Sequence, residues 1–74
     1  MTLQPWQERV VEEKEQLVER LEKLDAFLAT PACLALPFDD RCLLARQLFA
    51  MKQYLEILLD RIARFFETAT TKGE

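Results

Sequence analysis

The chain has 74 residues, half of them hydrophobic and 31% charged, with one Gly, three Pro, two Cys and no His. That profile belongs to a small helical or coiled-coil protein and is wrong for a disordered or β-rich one. A formal net charge of −3 argues against bulk binding of DNA or RNA polymers, where a broadly basic surface supplies most of the affinity.

One helical domain over residues 1–74 is expected, burying only about 60% of its unfolded surface. The first helix is predicted over 5–29. Pro5 suits the first helical position, because its missing N–H would be unpaired there in any case. Leu17, Leu21, Leu24 and Leu28 alternate at spacings of four and three, and Val10 and Leu3 continue this seam backward. Lys14 interrupts it. The C-terminal half therefore reads as core, and the N-terminal half as a less committed surface.

Thr30-Pro31 ends that helix and starts a short helical turn over 31–36, with Thr30 as N-cap and Pro37 as its breaker. The large apolar Leu34 and Phe38 are expected to fold this connector onto the hairpin. A long helix is predicted over 39–69, capped by Asp39 or Asp40, whose carboxylates favour its positive end. Residues 71–74 are expected to fray.

The long helix dominates the chain. Leu44, Leu48, Met51, Leu55, Leu58, Ile62 and Phe65 form a heptad-like seam. Beside it stand Leu43, Ala50, Tyr54 and Ile57, and Arg61, Arg64 and Thr68 continue that side toward the C-terminus. The combined apolar face is wider than the ~100° stripe that one packing partner covers. The expected fold is thus all-α: an antiparallel helical hairpin with a short helical turn in the connector, assembled into a helical homo-oligomer. Two helices alone leave a face of each seam uncovered.

Catalysis has no foothold. The chain has no Ser and no Gly-rich phosphate loop, so Ser–His and P-loop chemistry are excluded. Glu12 and Glu13 are adjacent on a helix and point different ways, so they cannot flank one bond. Cys33 and Cys42 lack a base to activate them, and two Cys without His make a poor zinc site. No catalytic residue, metal or cofactor is expected, and both thiols are expected to be reduced. No apolar run of about 18 residues suggests a membrane span. Met1–Arg9 lacks the basic and apolar regions of a signal peptide, so a cytoplasmic location is expected.

Two residue groups remain as candidate ligand sites. Arg64 and Thr68 stack one turn apart, with Arg61 beside them, and an Arg fork plus a hydroxyl makes a phosphate clamp. The plainer reading is that these cations complement the helix dipole. If copies of Arg64 converge on a symmetry axis, an anion between them relieves their repulsion. The second group is Lys23 with Trp6, two-thirds of a helix apart. Lys23 could simply pair with Glu19, and Trp6 could be a packing aromatic. If two first helices pack antiparallel, Trp6 of one approaches Lys23 of the other, joining base stacking to phosphate neutralisation.

Several segments carry a family resemblance: Gln7-Glu8-Arg9-Val10-Val11, Glu22-Lys23-Leu24-Asp25-Ala26-Phe27-Leu28, Leu43-Leu44-Ala45-Arg46-Gln47-Leu48, Met51-Lys52-Gln53-Tyr54 and Arg61-Ile62-Ala63-Arg64-Phe65. Over about residues 5 to 68 the chain resembles the anti-CBASS cyclic-oligonucleotide sponges, a family of small phage proteins. The resemblance implies a compact helical hexamer in the host cytoplasm. Such a hexamer binds cyclic di- and trinucleotides without cleaving them and starves a host immune effector of its signal. The family's trinucleotide site, an Arg followed four residues later by a Thr, is matched by Arg64 and Thr68. Its dinucleotide site is matched at Lys23, but Asp25 stands where the family has Thr. Glu8 stands at or near the family's stacking Tyr, leaving Trp6 as the nearby aromatic. Asp25 would repel a phosphate by ~1 kcal/mol or more. An alternative function is a helical interaction protein that inhibits a host protein through its exposed apolar seam.

Overall fold

The structure is a computed structural model that describes the backbone of residues 2–71 and the side chains of residues 2–66. Three helices follow in chain order: α1 (Pro5–Leu28), α2 (Pro31–Leu34) and α3 (Phe38–Thr71). The described residues contain no strand.

Local chemistry sets each boundary. The backbone N–H of Gln4 donates to Gln7 Oε1 at 2.8 Å, which ties down the entry to α1. At the other end, Thr30 serves two helices. Its hydroxyl donates to the Phe27 carbonyl at 2.6 Å, closing α1. The same oxygen accepts from the Cys33 N–H at 3.3 Å, opening α2. Thr30→Ala should cost about 1 kcal/mol, read as a lower urea midpoint with an unchanged slope.

Four boundaries differ from expectation, the smallest difference being that α1 ends at Leu28 and not at 29. The short helix stops at Leu34, not Leu36, because Pro37 disfavours helical backbone in the residue before it. Leu36 instead turns back, its N–H donating to the Cys33 carbonyl at 3.0 Å. The long helix starts at Phe38, with the Arg41 N–H donating to the Pro37 carbonyl at 3.1 Å. Asp39 and Asp40 therefore lie inside the first turn, where they complement the dipole without capping it. Thr71 is the last residue of α3, so the expected frayed tail does not begin there. Its remaining positions, 72–74, lie outside the described residues.

α1 and α3 pack antiparallel. The Trp6 ring meets Phe65 edge-on, centroids 5.2 Å apart and planes at 82°, so the start of α1 lies beside the end of α3. Val10 and Leu17 from α1 interlock with Leu58 and Phe65 from α3, and Leu3, Met51, Leu55 and Ile62 pack against them. Every residue of the predicted α3 seam is buried or half-buried, and Leu58 is fully enclosed. Lys14, on the α1 seam, is half-buried between its apolar neighbours.

The connector is a correction. Leu34 and Phe38 do not fold onto the hairpin; they remain 67% and 68% exposed. The residue that docks is Cys33, at 3%. On a helix of one turn, one residue's step swings the next side chain about 100° away, so Cys33 and Leu34 cannot both face inward.

The chain is a rod of 57 × 16 × 16 Å with a radius of gyration of 16.9 Å. A compact chain of this length would have a radius of about 11 Å. Its accessible surface is 5883 Å², against about 4,700 Å² for a compact monomer of its mass. One seam is closed, and much apolar surface is left over.

Candidate ligand-binding surface

The uncovered surface lies mainly along α3. Its second stripe starts with Leu43, Tyr54 and Ile57, which are 57%, 41% and 57% exposed. α1 covers the first seam only. The stripe keeps the four-and-three spacing as it passes from these apolar residues into Arg61 and Arg64, both exposed. Neither Arg makes an ion pair among the described residues, although Asp60 stands one turn before Arg64. A groove along this stripe would thus run from apolar to cationic.

Because α1 starts level with Phe65, the last turn and a half of α3 projects past it. Thr68 lies on that projection, four residues after Arg64 on the backbone of α3; its side chain is outside the described residues. Arg64 therefore stands where the hairpin ends.

The second group is divided within one chain. Trp6 and Glu8 are exposed near the open end of the hairpin, while Lys23 and Asp25 are exposed toward the closed end. Seventeen residues of helix separate Trp6 from Lys23, about 26 Å. What the fold brings together is Trp6 with the Arg64 end of α3, through Phe65. Lys23 Nζ sits 3.2 Å from Glu19 Oε1, with the two side chains 75% and 66% exposed. Such a pair is worth a few tenths of a kcal/mol, so a phosphate could displace it at little cost.

Two contacts escaped the reading of the sequence. The Trp6–Phe65 pair was one, since an antiparallel hairpin closed near residue 33 would set Trp6 level with residue 60, about a turn and a half short of Phe65. The other is Arg41, whose guanidinium lies 5.6 Å from the Phe38 ring centroid and whose Nε is buried without a hydrogen-bond partner. No periodic signal marks a contact between residues three apart at a helix start.

Among the described residues no cluster of His, Cys, Asp or Glu could hold a metal ion. No helix there is long and apolar enough to cross a membrane. The described residues define a small all-helical hairpin whose long helix leaves apolar faces exposed. Residues 4–64 match the family model described as Sequestin, and the chain belongs to this family of small phage proteins. It is also 38% identical over 60 residues to an uncharacterised 7.5 kDa protein in the denB-rIIB intergenic region of Enterobacteria phage T4. That match covers 81% of this chain and 94% of the relative. No solved structure matches the chain significantly. The Sequestin match takes in Trp6, Lys23, Arg61 and Arg64 and ends before Thr68.

Proposed function

We propose that the protein is a non-catalytic sponge that binds cyclic oligonucleotide second messengers in the host cytoplasm and so blocks CBASS-type defence. The observation that carries this reading is the α3 stripe, whose exposed apolar half leads into the exposed Arg61 and Arg64. The family's name, which speaks of sequestration, agrees with it. An apolar stripe that meets other copies would gather several Arg64 side chains at one place. Their repulsion is relieved by a polyanion with matching symmetry, and a cyclic trinucleotide is one.

In this reading the chain forms a homo-oligomer, a hexamer by the family resemblance. Arg64 and Thr68 grip phosphates while Arg61 adds positive charge. A dinucleotide would bind between two antiparallel α1 helices, with Trp6 of one chain and Lys23 of the other as its contacts. Asp25 and Glu8 put negative charge at both ends of that site, so the dinucleotide is expected to bind more weakly.

Thermal melting tests the reading. Cyclic trinucleotides should raise the midpoint, since a ligand that binds only the folded state stabilises it by mass action. Linear trinucleotides of the same bases should do so less, and heating should return the cyclic ligand intact. No shift with any cyclic di- or trinucleotide would sink the proposal.

A further inference from the structure

A third stripe of α3 faces away from both α1 and the Arg64 stripe. It consists of Phe38, Cys42, Ala45 and Phe49, again spaced four and three, and continues into the polar Lys52 and Glu56. Phe38 and Phe49 are 68% and 63% exposed, among the most exposed large apolar side chains of the chain. Cys42 is half-buried, and Ala45 between them is exposed. The apolar segment is therefore short, with a large residue at each end and two small ones in the middle.

That pattern is self-complementary. We propose that this stripe pairs with the same stripe of a second copy, the two α3 helices running antiparallel about a two-fold axis between Cys42 and Ala45. In this register Phe38 of each copy packs against Phe49 of the other, and Cys42 faces Ala45. The small central residues let the helix axes approach to about 8 Å. Large residues then meet only at the two ends.

Charge selects the same register. Asp39 and Arg46 lie together along one flank of the stripe, and neither makes an ion pair among the described residues. Antiparallel pairing about this axis sets Asp39 of each copy opposite Arg46 of the other, giving two equivalent ion pairs. Sliding the helices by one heptad breaks both pairs and either lays Phe38 on Glu56 or carries Phe49 past the start of the partner helix. On the opposite flank, Arg41 lies over the Phe38 ring, which holds that aromatic in place. A parallel pairing would set the Asp39–Arg46 flank of one copy against the opposite flank of the other and lose both of these ion pairs.

Twelve residues of helix give a contact about 18 Å long, well short of the ~800 Å² per partner of a standard interface. This contact therefore joins subunits already held through another face. It rests on the functional reading only in that copies associate, and it involves none of the residues assigned to the ligand. Two distinct two-fold faces on one chain can generate a closed dihedral assembly.

Cross-linking tests the register. In Ala45→Cys the introduced thiol faces Cys42 of the second copy, and mild oxidation should give covalent dimers about tenfold above the yield from Glu56→Cys, a control outside the proposed contact. Sedimentation supplies a second test that does not depend on thiols. Asp39→Arg and Arg46→Asp each place like charges opposite one another and should weaken association about tenfold, while the double exchange should restore it. Cross-linking at the control level, or a double exchange that fails to restore association, overturns the proposal. A ligand-induced melting shift that persists alongside either failure leaves the sponge reading standing; loss of the shift alone removes that reading and not this contact.

Discussion

Arg64→Ala should abolish the rise in melting temperature produced by a cyclic trinucleotide while leaving the unliganded subunit nearly unchanged. At a hundredfold excess over its dissociation constant, a ligand stabilises by about 2.7 kcal/mol, or ~10 °C or more for a domain this small. The unliganded cost should stay within about 0.5 kcal/mol, since Arg64 is exposed and makes no ion pair among the described residues. Arg64→Lys separates charge from geometry. A lysine keeps the cation but loses the planar fork that grips two phosphate oxygens, so part of the shift should return. Differential scanning fluorimetry with and without ligand reads all three proteins. An Arg64→Ala protein that keeps the full shift would move the ligand away from this end of α3.

The second large effect concerns folding. Leu58→Ala removes the one large side chain that is fully enclosed among the described residues, at 0% exposure. Large-to-small changes at such positions cost about 3–5 kcal/mol, because the lost burial is compounded by the cavity left behind. A chain of this size has only ~4–11 kcal/mol of total stability. The variant should therefore lose about a quarter or more of its stability, visible as a sharp drop in the urea midpoint. The adjacent Leu59 is 46% exposed, and Leu59→Ala should cost about 1 kcal/mol or less. The contrast tests the hairpin directly. Were Leu59 the costlier site, the assembly would be held by the outer faces of α3 and not by its seam with α1.

The helices and their shared seam were legible because four-and-three spacing reports which residues lie on one face. That covered Leu44 through Phe65 on α3. On α1 the buried residues are Val10 and Leu17, while Leu21, Leu24 and Leu28 are half-buried. The N-terminal half expected to be less committed therefore carries part of the core. The connector was less legible. Whether Cys33, Leu34 or Phe38 docks depends on the direction in which a one-turn helix leaves Thr30, and a span of four residues has no periodicity to show it. Asp39 and Asp40 resembled caps by type, yet the Pro37 carbonyl accepts the first hydrogen bond of α3. The candidate site was legible as a face and not as an enclosure. Spacing groups Arg61, Arg64 and Thr68 on one side of α3, but what stands opposite them is set by surfaces that periodicity in one chain does not describe.

The rod shape of the subunit, 57 Å long and 16 Å across, has a consequence for how it comes apart. Its core is a ladder of rungs, each touching only the rungs above and below. Stability in such an array is nearly a sum over neighbours, so the end rungs open first and at the lowest cost. One end rung is Trp6 against Phe65, next to Arg64. Breathing of the subunit should thus begin where the ligand is proposed to bind, and whatever clasps that end would quieten the whole ladder from its weakest rung.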